Sequence, residues 1–261
     1  GQSGICGRSM TLSHAILLAV AGFVAGSLNA VAGGGSLISF PALLAAGLGS
    51  VPANVTNTVA LWPGYVGGAL GYRTELSSDR APVSRLVAAS LLGAVLGSIL
   101  LLTTPASVFS ALVPWLVLGA TLLFAAQPWV SARVTARLNS GSEMQAGRVV
   151  QLGVLVASIY GAYFGAGLGI MLLAVLGSLM SIDLQRLNGV KNALSLSINT
   201  LAMLFFVVFG PVRWLPVLIM AVMSLVGGFA GARLARRLPP RALRAAVVIF
   251  GIAVATVLLF R

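Results

Sequence analysis

The chain consists mainly of long apolar runs, and short polar or basic segments separate them. Runs such as 12–32, 86–102, 106–126, 194–209 and 243–260 carry almost no charge. An α-helix needs about 20 apolar residues to cross a bilayer, and five such runs are too many for one buried core helix. The pattern therefore predicts an all-α polytopic membrane protein.

Glycine interrupts two of the apolar regions, at 30–36 (AVAGGGS) and at 164–169 (FGAGLG). As one continuous helix, residues 12–48 would measure about 55 Å, against a hydrocarbon core of about 30 Å. Glycine clusters break helices, so each region is predicted to fold back as a hairpin whose tip is buried in protein or lines a cavity. The predicted arms are 12–30 and 37–48 in the first hairpin, and 149–164 and 170–182 in the second.

The sequence also contains an internal repeat. A shift of 135 positions superposes Gly34 on Gly169 and Asn57 on Asn192, among six identities. At a shift of 134, LLGAVLG at 91–97 meets LVGGFAG at 225–231, whose glycines have the spacing of close helix packing. Two homologous repeats follow, each a broken hairpin and three further helices. The expected organisation is an N-terminal tail or upstream remnant at 1–11 with Met10 as the natural start, a first repeat at 12–130, a polar linker at 131–148 and a second repeat at 149–261.

The distribution of basic residues predicts how the repeats lie in the membrane. Each repeat contributes five of about ten membrane segments, four of which form the two hairpins, and an odd number inverts the second repeat. With the linker in the cytoplasm, only Arg8, Arg213 and Arg261 of the sixteen basic residues face outward. This arrangement satisfies the positive-inside rule, and it predicts a multi-pass protein of a bacterial-type inner membrane. The remaining segments are expected at 53–72, 83–102, 106–125, 187–209, 214–232 and 243–260.

A stripe of polar residues marks the candidate site. Asn188, Asn192, Ser195 and Asn199 fall at i, i+4, i+7 and i+11, so they share one helix face, and Lys191, the only lysine, lies beside them. Uncompensated amides and an ammonium are costly in a bilayer unless they face a cavity, a partner or a substrate. The stripe indicates a polar path through the protein; interhelical hydrogen bonding is the alternative interpretation. For Lys191 the alternative is that its ammonium extends to water at the membrane edge.

The two hairpin tips are candidate anion cradles, because helix N-termini present free N–H groups and a positive dipole end. Glycines that merely permit tight turns are the alternative. Asn57 and Thr58 belong to the first-repeat polar cluster, and Asn29 precedes the first break, where the repeat places Phe164 in the second half. The candidate substrate-binding residues are Asn29, Gly33, Gly34, Gly35, Ser36, Asn57, Thr58, Gly167, Gly169, Lys191, Asn192, Ser195 and Asn199.

Several motifs together resemble one known family. GFVAGSLNAVAGGGSLISFPALL and NVTNTVAL in the first half, with GAYFGAGLGIMLL and NGVKNALSLSIN in the second, are similar to the TauE/SafE membrane permeases over about residues 12–260. The resemblance implies transport of a small sulfur-containing anion, such as sulfite or an organosulfonate. An anion channel and a non-transporting membrane assembly protein are the alternatives.

Composition excludes other classes. The net charge of +12 arises from bases in short loops and not from a basic face, so nucleic-acid binding is not expected. One histidine and one cysteine cannot form a metal site, and we expect no cofactor and no enzymatic activity. The four acidic residues fall in loops or at a hairpin end, so no intramembrane carboxylate is available for ion coupling. Four tryptophans are expected to lie mostly near span ends, as interfacial anchors do: Trp62, Trp115, Trp129 and Trp214. The glycine-rich faces could pack within one chain or in a homodimer.

Overall fold

The computed structural model describes residues 11–31, 34–71, 80–139, 147–179, 184–234 and 240–260. Within these ranges the chain forms ten α-helices and no strand. The helices are α1 (Leu12–Val31), α2 (Ser36–Ala45), α3 (Ser50–Gly71), α4 (Arg80–Thr103), α5 (Ala106–Asn139), α6 (Gly147–Tyr163), α7 (Leu168–Leu179), α8 (Leu184–Phe209), α9 (Trp214–Leu234) and α10 (Pro240–Leu259).

The all-α polytopic fold predicted from the sequence is confirmed. Each predicted segment corresponds to one helix, and both predicted breaks fall between helices, α1 from α2 and α6 from α7. In the described part of the chain, four helices are long and apolar enough to cross a membrane, with spans Leu12–Asn29, Arg85–Thr103, Ala106–Ala136 and Leu187–Phe209. Many large apolar side chains on the outer helices are exposed, as expected of a surface that faces lipid.

The linker begins later than the sequence predicts. Residues 131–139 were assigned to a polar loop, but they form the last turns of α5. This segment contains no glycine or proline and is rich in helix-forming residues, so nothing ends the helix where its apolar part ends. The Arg133 guanidinium lies 3.9 Å from the centre of the Trp129 ring, one turn away, which further stabilises this extension.

The two halves pack against each other in a reciprocal pattern. Helix α1 packs on α9 and its counterpart α6 packs on α4; likewise α3 contacts α9 while α8 contacts α4. The short hairpin arms follow the same rule, since α2 contacts α10 and α7 contacts α5. The pairs α3–α8 and α5–α10 also join the first half of the chain to the second. This exchange of partners is the pattern expected of two homologous halves.

Glycines allow the closest of these helix contacts. A Cβ at Gly26 would overlap the Ser224 carbonyl oxygen on α9, and a Cβ at Gly227 would overlap that of Phe23 on α1. Gly93 and Gly97 approach the backbone of α6 in the same way. The packing role predicted for Gly93, Gly97 and Gly227 is confirmed, and the same role for Gly231 stays a prediction.

Candidate functional site

At the first break, a side chain of α1 hydrogen-bonds the start of α2. The Asn29 Oδ1 atom accepts hydrogen bonds from the backbone N–H groups of Gly34, at 3.2 Å, and Gly35, at 2.8 Å. These N–H groups belong to the start of α2 and were predicted to cradle an anion, but Asn29 already occupies them. Ser36, the first residue of α2, is buried, and Gly33 lies outside the described residues.

The Asn29 amide has a further unsatisfied group. Its Nδ2 atom is buried and has no hydrogen-bond partner among the described residues. A Cβ at Gly35 would overlap the carbonyl oxygen of Ala25, so the tip of the first hairpin packs directly on the backbone of α1. At Gly35, the described part of the first break therefore packs on α1 and leaves one buried donor of Asn29 unpaired.

At the second break, two glycines with positive φ angles reverse the chain direction. Helix α6 ends at Tyr163 and α7 begins at Leu168, and between them Gly165 and Gly167 have φ angles of +81° and +79°, a region that favours glycine. The Tyr160 hydroxyl donates to the Ala166 carbonyl oxygen at 2.8 Å. The backbone bonds at the start of α7 run from the Leu168 N–H to Gly165 and from the Ile170 and Met171 N–H groups to Gly167. The first turn of α7, which includes Gly169, thus keeps the positive dipole end predicted to attract an anion.

The two tips meet in the interior of the protein. The rings of Phe40 on α2 and Phe164 at the second break pack edge to face, with centroids 5.4 Å apart, and both side chains are buried. Gly34 packs on the Phe124 ring, and Gly167 packs one turn away on α5. Both breaks consequently lie against the middle of the same helix.

The first-half polar residues form hydrogen bonds within the protein. The Ser39 hydroxyl on α2 donates to Asn57 Oδ1 on α3 at 2.5 Å, and Asn54 Nδ2 donates to the Tyr163 carbonyl oxygen at 2.8 Å. The Thr58 hydroxyl donates to the Asn54 carbonyl oxygen within α3, at 3.1 Å. These bonds match the alternative interpretation, in which the amides tie helices together, although Asn54 Oδ1 is buried without a described partner.

A second set of hydrogen bonds joins α3 to α8 near their midpoints. The Trp62 indole donates to the Thr200 hydroxyl at 2.9 Å, and the Tyr65 side chain hydrogen-bonds that of Asn199. Asn199 also donates to the Ser195 carbonyl oxygen, one turn earlier, at 2.8 Å. Trp62 was expected at a span end, but it lies in the middle of α3, because an indole N–H can be buried when it finds an acceptor.

Lys191 and Asn192 differ from all these residues. Both are half-buried on α8, and no described residue forms a hydrogen bond or ion pair with either side chain. The repeat explains the difference: Ser39, which binds Asn57, corresponds to Ala174 on α7, which has no hydroxyl to offer Asn192. Asn188, by contrast, takes part in an interaction of its own.

Comparison with known proteins identifies the family of this chain. Residues 18–258 match the family described as Sulfite exporter TauE/SafE. This chain belongs to the TauE/SafE family. The match covers both halves, both breaks and the polar residues of α3 and α8, and it confirms the resemblance found in the sequence. TauE/SafE proteins are membrane transporters, and the chain is accordingly a multi-pass membrane protein.

Curated relatives agree with this assignment. The chain is 26% identical over 238 residues to a probable membrane transporter protein of Haemophilus influenzae, which covers 90% of each chain. It is 29% identical over 250 residues to the probable membrane transporter protein ORF9 of a Sinorhizobium species, covering 93% of this chain and 91% of the relative. The probable membrane transporter protein YfcA of Escherichia coli K12 is 27% identical over 236 residues, 88% of this chain and 84% of the relative. No solved structure matches the chain.

Three residues that shape the candidate site were not predicted from the sequence: Ser39, Tyr65 and Tyr160. Each places a hydroxyl inside an apolar run, which is the one signal that could have drawn attention to it. Their partners lie on other helices or beyond a break, so the pairing itself depends on the tertiary structure.

Proposed function

We propose that this chain is a secondary transporter that carries a small sulfur-containing anion, such as sulfite or an organosulfonate, by alternating access. The name of the family supports the substrate class, and the relatives named as probable membrane transporters support carriage across the membrane. One observation carries the site assignment: Lys191 and Asn192 are half-buried polar groups with no hydrogen-bond or ion-pair partner among the described residues, on a helix that packs against the second hairpin. Polar groups in that position require water or a substrate.

The chemistry of these groups suits a compact oxyanion. The Lys191 ammonium would balance the charge, while the Asn192 amide and the Ser195 hydroxyl would donate hydrogen bonds to the oxygens. The start of α7, at Gly167 and Gly169, would add its positive dipole end. Several weak neutral donors and one cation hold an anion without trapping it, which a carrier requires.

The first-half residues would take part in the other conformation of the cycle. Asn29 and Asn57 are bound to the protein itself here, and the inverted repeats of a carrier exchange their conformations during transport. We infer that release of these amides exposes a matching set of donors at Gly33, Gly34, Gly35, Ser36 and Thr58 when the second half closes.

The inverted arrangement can be tested by labelling. In a variant that lacks Cys6, a cysteine at Ser140 should react only with a membrane-impermeant reagent applied from the cytoplasmic side, and one at Thr104 only from outside. Reaction of both from the same side would contradict the inversion.

Transport is tested with purified protein in liposomes. Sulfite, sulfate, thiosulfate and short sulfonates should be screened, and at least one should show saturable uptake and counterflow. Unitary currents in a planar bilayer would contradict a carrier in favour of a channel. Absence of both flux and binding for the whole panel would contradict the substrate class.

A further inference from the structure

An open groove lies between α4 and α6, and its lining residues do not include those of the proposed anion site. Its volume is about 670 Å³, and it is lined by Arg85, Ala88, Ala89, Leu92, Arg148 and Gln151. One wall comes from the first half of the chain and the other from the second. The groove therefore follows the glycine-mediated junction at which the two halves pack together.

The polar and apolar parts of the groove are ordered along the helices. Arg85 and Arg148 lie near the starts of α4 and α6, beside the polar segments that connect the helices. Ala88, Ala89 and Leu92 follow Arg85 at i+3, i+4 and i+7, so they continue the same face deeper into the helix. The groove thus has two cations at one end and an apolar floor below them.

The two arginines are available to a ligand. Both side chains are exposed, and neither forms an ion pair or a hydrogen bond with any residue in the described part of the chain. Guanidinium groups bind phosphate through paired N–H donors, and two of them can bind one phosphate from both sides. Arginine pairs at the end of an apolar groove between membrane helices suit an anionic lipid.

We propose that this groove binds an anionic glycerophospholipid. The phosphate lies between Arg85 and Arg148, and an acyl chain lies along Ala88, Ala89 and Leu92. The small alanines leave room for the chain, and Leu92, which is 55% exposed, offers apolar surface to it. A soluble phosphate would use the arginines but would gain nothing from the apolar floor. The lipid would bridge the two halves of the protein at their junction.

The test compares lipids on purified protein in detergent. Phosphatidylglycerol should raise the melting temperature of the parent protein by about 3–5 °C at a concentration ten times its dissociation constant. Phosphatidylcholine at the same mole fraction, and soluble glycerol 3-phosphate, should each raise it by less than about 1 °C. A rise with glycerol 3-phosphate equal to that with phosphatidylglycerol would overturn the lipid assignment.

Substitutions inside and outside the groove test whether the lipid binds there. R85Q/R148Q should weaken phosphatidylglycerol binding, counted by native mass spectrometry, at least tenfold. R133Q/R213Q removes the same charge from two exposed arginines outside the groove and should leave binding within twofold. Equal weakening in both double variants would overturn the proposal. Should R85Q/R148Q fail to fold, Ala88→Phe fills the exposed groove without changing charge, and unchanged lipid binding in this variant would also overturn it. None of these measurements depends on transport of the anion.

Discussion

The two broken hairpins share one backbone plan but differ in how their polar groups are used. In the first, Asn29 caps the start of α2, and Asn57 accepts from Ser39. In the second, the corresponding positions hold Phe164 and Ala174, so Asn192 has no such partner. Lys191 adds a cation where the first half has Thr56, whose hydroxyl accepts the backbone N–H of Arg213.

This difference distinguishes polar residues that hold the helices together from polar residues that are available to a ligand. Internal duplication preserves the breaks, because the hairpins are too long to cross the membrane as single helices. It does not require unpaired amides or a cation, which cost free energy in an apolar environment. A cation and an amide with no bonded atom among the described residues occur together at Lys191 and Asn192, which points to a ligand there. The first-half amides provide the comparison, because Asn29 and Asn54 each leave one atom unpaired but are otherwise hydrogen-bonded.

The largest effect is expected where the first hairpin packs on α1. Gly35→Val should abolish folded protein, because the added Cβ would overlap the carbonyl oxygen of Ala25 in a backbone contact that cannot relax. Gly64→Ala is the control, since nothing lies within 4 Å of a Cβ at Gly64. Size-exclusion chromatography in detergent measures both, and a monodisperse, thermally stable Gly35→Val protein would contradict this packing.

The next largest effect on stability is expected from removing the side-chain hydrogen bond at each hairpin tip. Asn29→Ala should lower the free energy of unfolding by about 1–2 kcal/mol, because two backbone N–H groups lose their acceptor. Tyr160→Phe removes one hydroxyl bond at the second tip and should cost less, about 0.5–1.5 kcal/mol. Thermal unfolding in detergent ranks the variants. A larger cost for Tyr160→Phe would show that the second tip, and not the first, depends on its side-chain bond.

The smallest effect comes from making the second half resemble the first. Ala174→Ser offers Asn192 the hydroxyl that Ser39 offers Asn57, so it should reduce anion flux about two- to fivefold. Stability should change by no more than about 0.5 kcal/mol, because Ala174 is half-buried and the change is small. Leu152→Ser, on the exposed face of α6, is a matched control for an added hydroxyl. Equal flux in Ala174→Ser and the parent would argue against a role for a free Asn192.

Much of the fold could be predicted from the sequence because the bilayer restricts it. A run of 37 apolar residues must turn, and the glycine clusters mark where, so both breaks were found correctly. The extension of α5 to Asn139 was missed because the apolar run ends near residue 130 while no residue there ends the helix. Bilayer thickness constrains the apolar spans and not the segments that continue into water.

The site was less predictable, for a different reason. The sequence singled out Asn29 and Asn57 but not what they bind, since Ser39 lies 18 residues from Asn57 on another helix. The Asn29 cap joins residues on the two sides of a break, and no periodicity encodes such a contact. Lys191 and Asn192 could be recognised because a cation and an amide in an apolar helix are costly wherever the fold places them.

The most direct test is the affinity of purified protein for the anion that shows counterflow, compared between the parent and Lys191→Gln. The variant should remain folded, bind the anion at least tenfold more weakly and lose flux in proportion, whereas Lys191→Arg should retain part of both because it keeps the charge. Arg133→Gln controls for the loss of one positive charge elsewhere. If Lys191→Gln binds and transports within about twofold of the parent, a difference of about 0.4 kcal/mol, the anion does not contact this lysine and the account of the second half is wrong.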